Sequence, residues 1–251
     1  MVSDDLTDIL GEAFASYDPA SKVKPGVVCV GVIPYVAQDY YTVRPLNPDP
    51  KSADHQRYRL VKKTAGGLAN DGQDRWSFPF KDMNLDADED LVLYKVKRRP
   101  VVVLSRAIVD ERKADPSRFQ DSFWCVPSYT LVDSFLHPQL DQTMIEDINA
   151  LTYRCCFPLP YNVHVHDRQS MLRLDRTQPI PRQLLCVTER RLSPEWTLYL
   201  QEWVRFYMTG KLGDDETDKN VDSVPSLLKT ARGLLMDALA TVRAKAADKK
   251  P

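Results

Sequence analysis

The sequence predicts an α+β protein: a strand-rich core, a long segment of different character near its amino end, and helices closing the chain. Three observations carry that reading. Residues 24–33 (KPGVVCVGVI), 100–104 (PVVVL) and 122–131 (SFWCVPSYTL) are β-branched or aromatic runs bounded by turn residues, the composition of strands. After Ser193-Pro194, the residues Trp196, Tyr199, Leu200, Trp203, Phe206 and Tyr207 recur at helical spacing. A mix of 43% hydrophobic and 27% charged residues over 251 positions is that of a globular chain with a sizeable core, and it argues against wholesale disorder.

Taken in order, residues 3–16 are predicted as a short amphipathic helix, with Ser3 as N-cap and Leu6, Ile9, Leu10 and Phe14 on one face. The Pro25-Gly26 turn then opens the first strand. Residues 34–89 differ in kind. They hold Pro34, Pro45, Pro48, Pro50, Gly66, Gly67 and Gly72, and only 57–63 (RYRLVKK) reads as a strand, so the segment is expected to be an inserted loop or subdomain. Strands are expected at 91–97, 100–104 and 122–131, the last bulging or ending at Pro127. A mixed connection with a helix near 142–151 follows, then a hairpin from 161–167 and 170–175, then a proline-bracketed turn at 178–181. Ser193-Pro194 combines a cap with proline at the first helical position, and Gly210 is a natural stop. Residues 227–242 place Leu228, Ala231, Leu235, Ala238 and Leu239 in a second amphipathic stripe. The expected organisation is therefore an N-terminal helix over 1–19, a central domain over 20–210 that contains the insertion, and a C-terminal helix and tail over 211–251.

Several function classes are excluded at this level. The start MVSDDLTDIL carries acids where a signal peptide needs a basic and then an apolar run, and no stretch approaches about 20 apolar residues. The expectation is a cytoplasmic protein with no membrane partner. Cys29, Cys125, Cys155, Cys156 and Cys186 are odd in number and include no CxxC pair, as expected of reduced, mostly buried thiols. No phosphate-binding glycine loop and no zinc spacing is legible, so neither a cofactor nor a metal is expected.

Net charge is −1, so attraction to nucleic acid must be local. Between positions 95 and 118 stand Lys95, Lys97, Arg98, Arg99, Arg106, Arg112, Lys113 and Arg118 against three acids. Between 168 and 191 stand Arg168, Arg173, Arg176, Arg182, Arg190 and Arg191 against two. Brought together, these segments would form a basic groove for a phosphate backbone, with Tyr129, Tyr161 and Trp124 as stacking surfaces for unpaired bases. His164 and His166 alternate onto one strand face, which suits either an acid/base pair, two metal ligands or a plain solvent-facing row. The acidic run Asp82, Asp86, Asp88, Glu89 and Asp90 precedes the basic strand, and the insertion is expected to fold over the groove and screen it.

The string Arg99-Pro100-Val101-Val102-Val103-Leu104-Ser105 resembles the RPVVVLS strand of the PemK/MazF toxin family. KPGVVCVGVIP, WCVPSYT, SMLRLDRTQPIPRQLL and LSPEW resemble further family segments in the family's order, together over roughly half the chain. The resemblance implies a small SH3-like β-barrel and metal-independent cleavage of single-stranded RNA, with Arg99 as the catalytic arginine and Ser128 or Thr130 as its hydroxyl partner. The basic groove read from the charge distribution offers Lys97, Arg98, Arg106, Arg173 and Arg176 as RNA contacts, with Tyr129 for stacking, and an antitoxin protein and a second copy of the chain are the further partners expected. A guanidinium suits the phosphate as a planar fork of donors, but it holds its proton too firmly to act as a base. Another group would have to accept the ribose proton. The chain departs from the family in its long insertion, in Lys97-Arg98 before the Arg-Pro pair, and in both terminal helices, which fits equally a barrel that binds RNA or protein without cleaving it.

Overall fold

The computed structural model describes Thr7 and residues 10–34, 40–46, 57–63, 92–93, 96–107, 121–132, 138–160, 169–212 and 223–247. The chain forms two compact units, Met1–Val32 with Arg98–Pro251, and Ile33–Lys97. The second unit holds a three-stranded sheet of β3 (Tyr40–Pro45), β4 (Tyr58–Lys63) and β5 (Val92–Leu93), in the order β4-β3-β5. β4 answers the predicted strand at 57–63. β3 was not legible, because its three apolar residues are set among Thr42, Arg44 and Pro45.

The first unit is built on one large antiparallel sheet. Its strands are β1 (Phe14–Ser16), β2 (Val27–Pro34), β6 (Val96–Arg106), β7 (Ser122–Val132), β8 (Cys156–Leu159), β9 (Gln169–Arg173), β10 (Gln178–Pro181) and β11 (Leu185–Leu192). Their order is β1-β11-β2-β6-β7-β9-β8, with β10 also on β7. No pairing among the described residues joins the two ends of this path, so they show a large antiparallel sheet and not the closure that the expected small barrel requires. The strands on either side of the insertion, β2 and β6, are hydrogen-bonded neighbours. Gly26 makes the entry to β2 possible: its φ is +85°, and a Cβ there would collide with Thr197 Oγ1.

Pro127 does not end β7. The free edge of β7 is shared between β10, paired over Ser122–Cys125, and β9, paired from Ser128 onward. Proline's missing N–H falls where the strand changes partner, so no sheet hydrogen bond is forfeited on that side. The run 178–181, expected as a turn, is a strand for a related reason. An edge strand tolerates Pro179 and Pro181 while burying Ile180 between them.

The predicted helix over 3–16 is corrected. Thr7 and Leu10 are helical, but Gly11 at φ +78° closes that turn, its N–H donating to Thr7 O at 2.7 Å, and Phe14–Ser16 pairs with β11 as a strand. The stripe that put Phe14 on the helix face ignored a glycine fit for a helix stop. β8 falls in the stretch read as a mixed connection, and β11 in 182–192, for which no element is predicted.

Among the described residues three helices of eight or more residues accompany the sheet: α1 (Gln142–Asn149), α2 (Pro194–Thr209) and α3 (Val224–Ala247). Asp141 caps α1 by accepting from the N–H of Thr143, and Ser193 caps α2 by accepting from that of Trp196. Gly210, at φ 76°, ends α2 as its sequence position predicts. The aromatic stripe of α2 is core rather than interface. Trp196 and Trp203 are fully buried with Phe157, and their indole N–H groups donate to Gly11 O at 2.9 Å and Cys156 O at 3.0 Å. α3 closes this core with Leu228, Ala231, Leu235 and Leu239, while Ala238, expected in the stripe, is exposed. Among the described residues no helix is long and apolar enough to cross a membrane.

Candidate nucleic-acid interface

Strand register brings two of the predicted basic segments to one aromatic ring. On one side of β7, Val101 lies opposite Pro127, and continuing that antiparallel register by two residues sets Arg99 opposite Tyr129. On the other side Tyr129 faces Met171, which leaves Arg173 as its diagonal neighbour on the same sheet face. The side chains follow that arithmetic. The Arg99 guanidinium carbon lies 4.3 Å from the Tyr129 ring centre and that of Arg173 lies 5.8 Å away, both within cation–π range.

The two arginines are engaged differently. Arg173 donates from Nε and Nη2 to the two oxygens of Asp175, at 2.7 and 2.5 Å, and Arg176 Nε lies 3.4 Å from the same carboxylate. These bonds from Arg173 hold the Asp175 carboxyl below its ordinary range and push the arginine's own proton affinity up. Among the described residues no carboxylate pairs with Arg99. Its flat face rests on Tyr129, and stacking leaves the in-plane N–H groups of a guanidinium available. Among the described residues the cluster sets three guanidinium groups against one carboxylate, a local excess of positive charge that suits an anion with several oxygens.

The other predicted residues fall elsewhere. Strand alternation turns Ser128 and Thr130 to the sheet face opposite Tyr129, and therefore opposite the ring-stacked Arg99. Ser128 is buried and Thr130 half-buried. The expected arginine–hydroxyl pairing thus falls across the sheet rather than along one face. Lys97 and Arg98 are exposed at the start of β6. Arg106, near the other end, donates to Asp121 at 2.6 Å in an exposed ion pair. Trp124 is exposed, five positions along β7 from Tyr129. His164, His166, Tyr161 and the acidic run 82–90 lie outside the described residues.

Asp175 is the participant that sequence reading did not single out as one. Its signal is local: Arg173-Leu174-Asp175-Arg176 puts an acid two residues from one arginine and next to another, at the 3-10 turn (Leu174–Arg176) that ends β9. The thiols offer less chemistry. Burial pushes Cys29 up to about 11 and Cys125 up to about 12, so both stay protonated at neutral pH. Cys186 departs from the expectation of burial and is exposed. Among the described residues no group of three or more histidine, cysteine or acidic side chains could hold a metal ion.

The chain was compared with protein-family models, curated proteins and solved structures. It matches none. The likeness to PemK/MazF toxins therefore rests on the residues quoted above. They fall on β2, β6, β7, the run from β9 to β11, and the first turn of α2.

Proposed function

We propose that this chain binds single-stranded RNA through the Arg99–Tyr129–Arg173 face, on a PemK/MazF-like, SH3-type sheet enlarged by the insertion over 34–89. The observation that carries the reading is Arg99: a guanidinium laid on a tyrosine ring, with no described carboxylate to neutralise it, beside a second and third arginine. Such a group takes a phosphate through its free N–H edge, and a half-buried ring holds it in place without consuming those donors. Support also comes from the sheet, where β2, β6 and β7 are consecutive neighbours, so the segments that carry the family likeness sit together.

Cleavage of the toxin type is the second reading, favoured by the same Arg99, which no described carboxylate neutralises. Binding ranks ahead of it because Ser128 and Thr130 alternate away from that arginine, and cleavage needs an acceptor for the ribose proton on the arginine's side.

A single experiment tests both. A labelled, mixed-sequence single-stranded RNA is titrated with wild-type protein and with Arg99→Ala in EDTA, following anisotropy and then running the RNA on a gel. The expected result is salt-sensitive binding, weakened about ten-fold or more by the substitution, the scale of one hydrogen-bonded charge. Binding that is unchanged by the substitution would remove the assignment. Products that depend on Arg99 would promote the second reading.

A further inference from the structure

We propose that Cys155 and Cys156 are a redox-active dithiol that a peroxide converts to a disulfide between consecutive residues. Neighbouring strand residues ordinarily point to opposite faces. These two do not, because Cys155 occupies the turn before β8 and Cys156 is its first residue. Their sulfurs lie 3.8 Å apart, in contact. Cys155 is partly exposed and Cys156 buried, which assigns the order of events. Peroxide meets Cys155 first, and its sulfur attacks one peroxide oxygen. The O–O bond breaks, water leaves and a sulfenic acid remains. The Cys156 sulfur then displaces the sulfenic hydroxyl, which departs as a second water carrying the Cys156 proton. Two thiols are oxidised by two electrons and one peroxide is reduced to two waters. Burial pushes the Cys156 thiol up to about 12, consistent with a group that waits as a thiol for a partner already in contact.

Closure has a mechanical consequence. Consecutive Cα atoms lie about 3.8 Å apart, short of the roughly 4.4–6.8 Å that a disulfide normally spans, so the 155–156 peptide must distort. That peptide is pinned on both sides. Cys155 O accepts from Leu174 N at 2.8 Å, Cys156 N donates to Tyr153 O at 3.1 Å, and Cys156 O accepts from Trp203 Nε1 at 3.0 Å. Cys156 also faces Arg173 across the β8–β9 pair. Oxidation therefore pulls on Leu174 and Arg173, the residues that lead into Asp175. Weaker RNA binding by the oxidised protein follows only if the RNA reading holds.

The test uses full-length protein carrying Cys186→Ser, so that the exposed lone thiol does not compete. After brief treatment with a slight excess of hydrogen peroxide, free thiols are alkylated in denaturant and peptides are mapped by mass. The expected product is a peptide containing Cys155 and Cys156 that lacks two hydrogens, carries no alkyl group and is restored by dithiothreitol. The Leu174 amide should exchange with deuterium at least several-fold faster in the oxidised protein. Cys155→Ser, at the partly exposed position, should abolish the product, and reduced protein should bind phenylarsine oxide one to one only when both thiols are present. Alkylation of both cysteines, or Cys155 proceeding to sulfinic acid beside an alkylated Cys156, would overturn the proposal. None of these readouts involves RNA, so failure of the RNA assay with reduced protein would sink the functional reading and leave this one standing.

Discussion

Two aromatic rings in the first unit each carry two guanidinium groups, and they use them differently. Phe206 on α2 has Arg154 at 5.2 Å and Arg232 at 5.4 Å, while Tyr129 on β7 has Arg99 at 4.3 Å and Arg173 at 5.8 Å. Phe206 is 4% exposed, inside the main core, and Arg232 spends its Nε on Leu151 O at 3.0 Å. That carbonyl belongs to a residue with φ 57°, a backbone turn that few side chains adopt, so Arg232 fastens a costly corner. Tyr129 is half-buried, and among the described residues Arg99 has no carboxylate partner. The pairing of ring and cation is thus a structural staple at Phe206, where a guanidinium is bonded to a backbone carbonyl, whereas at Tyr129 Arg173 is held by Asp175 and no described carboxylate pairs with Arg99, the feature on which the proposed ligand site rests.

The largest effect expected from this contrast is on Phe206→Ala. Removing a buried aromatic from a core costs about 3–5 kcal/mol, and thermal melting should fall by roughly 10 °C or more. A shift of only a few degrees would mean that the ring is not the centre of the staple. Arg232→Ala should cost about 1–3 kcal/mol by stranding the Leu151 carbonyl, with RNA affinity unchanged. Ser193→Ala removes the cap of the helix that carries Phe206, and denaturant unfolding should register about 1 kcal/mol.

The smallest effect sharpens the other side. Asp175 has a folded pKa held down chiefly by Arg173. Its stabilisation is therefore complete above the unfolded value near ~3.9 and is lost as pH falls through the lower folded value. In Asp175→Asn that portion of the acid-limb slope should vanish, while the slope due to other carboxylates remains. Identical stability profiles below the ordinary carboxylate range would show that the pair is too solvated to matter.

Much of the frame was legible in the sequence wherever pattern and punctuation agreed. β2 follows Pro25-Gly26, β6 is a valine run, and α2 is bounded by Ser193 and Gly210 with its aromatic face intact. Three of the strands that were missed share a cause. LCVTERRL, CFPL and QPIP have charges or prolines where periodicity expects apolar residues, and they are strands because partners were waiting for them. The cluster was legible only as an inventory: Arg99, Arg173, Arg176 and Tyr129 stood out as basic or aromatic. That Tyr129 lies between the two arginines depends on the β6–β7 and β7–β9 registers, which are long-range pairings. The same registers separate Arg99 from Ser128 and Thr130, a distinction that residue type cannot make.

The contrast between the two rings is tested most directly by measuring, on the same samples, the melting temperature and single-stranded RNA affinity of Arg99→Ala and Arg232→Ala. A double dissociation is expected: Arg99→Ala melts within a few degrees of wild type and binds RNA about ten-fold or more weakly, with a shallower salt dependence, and Arg232→Ala does the reverse. An Arg99→Ala protein that melts early and binds RNA as wild type does would contradict it, making Tyr129 a second staple.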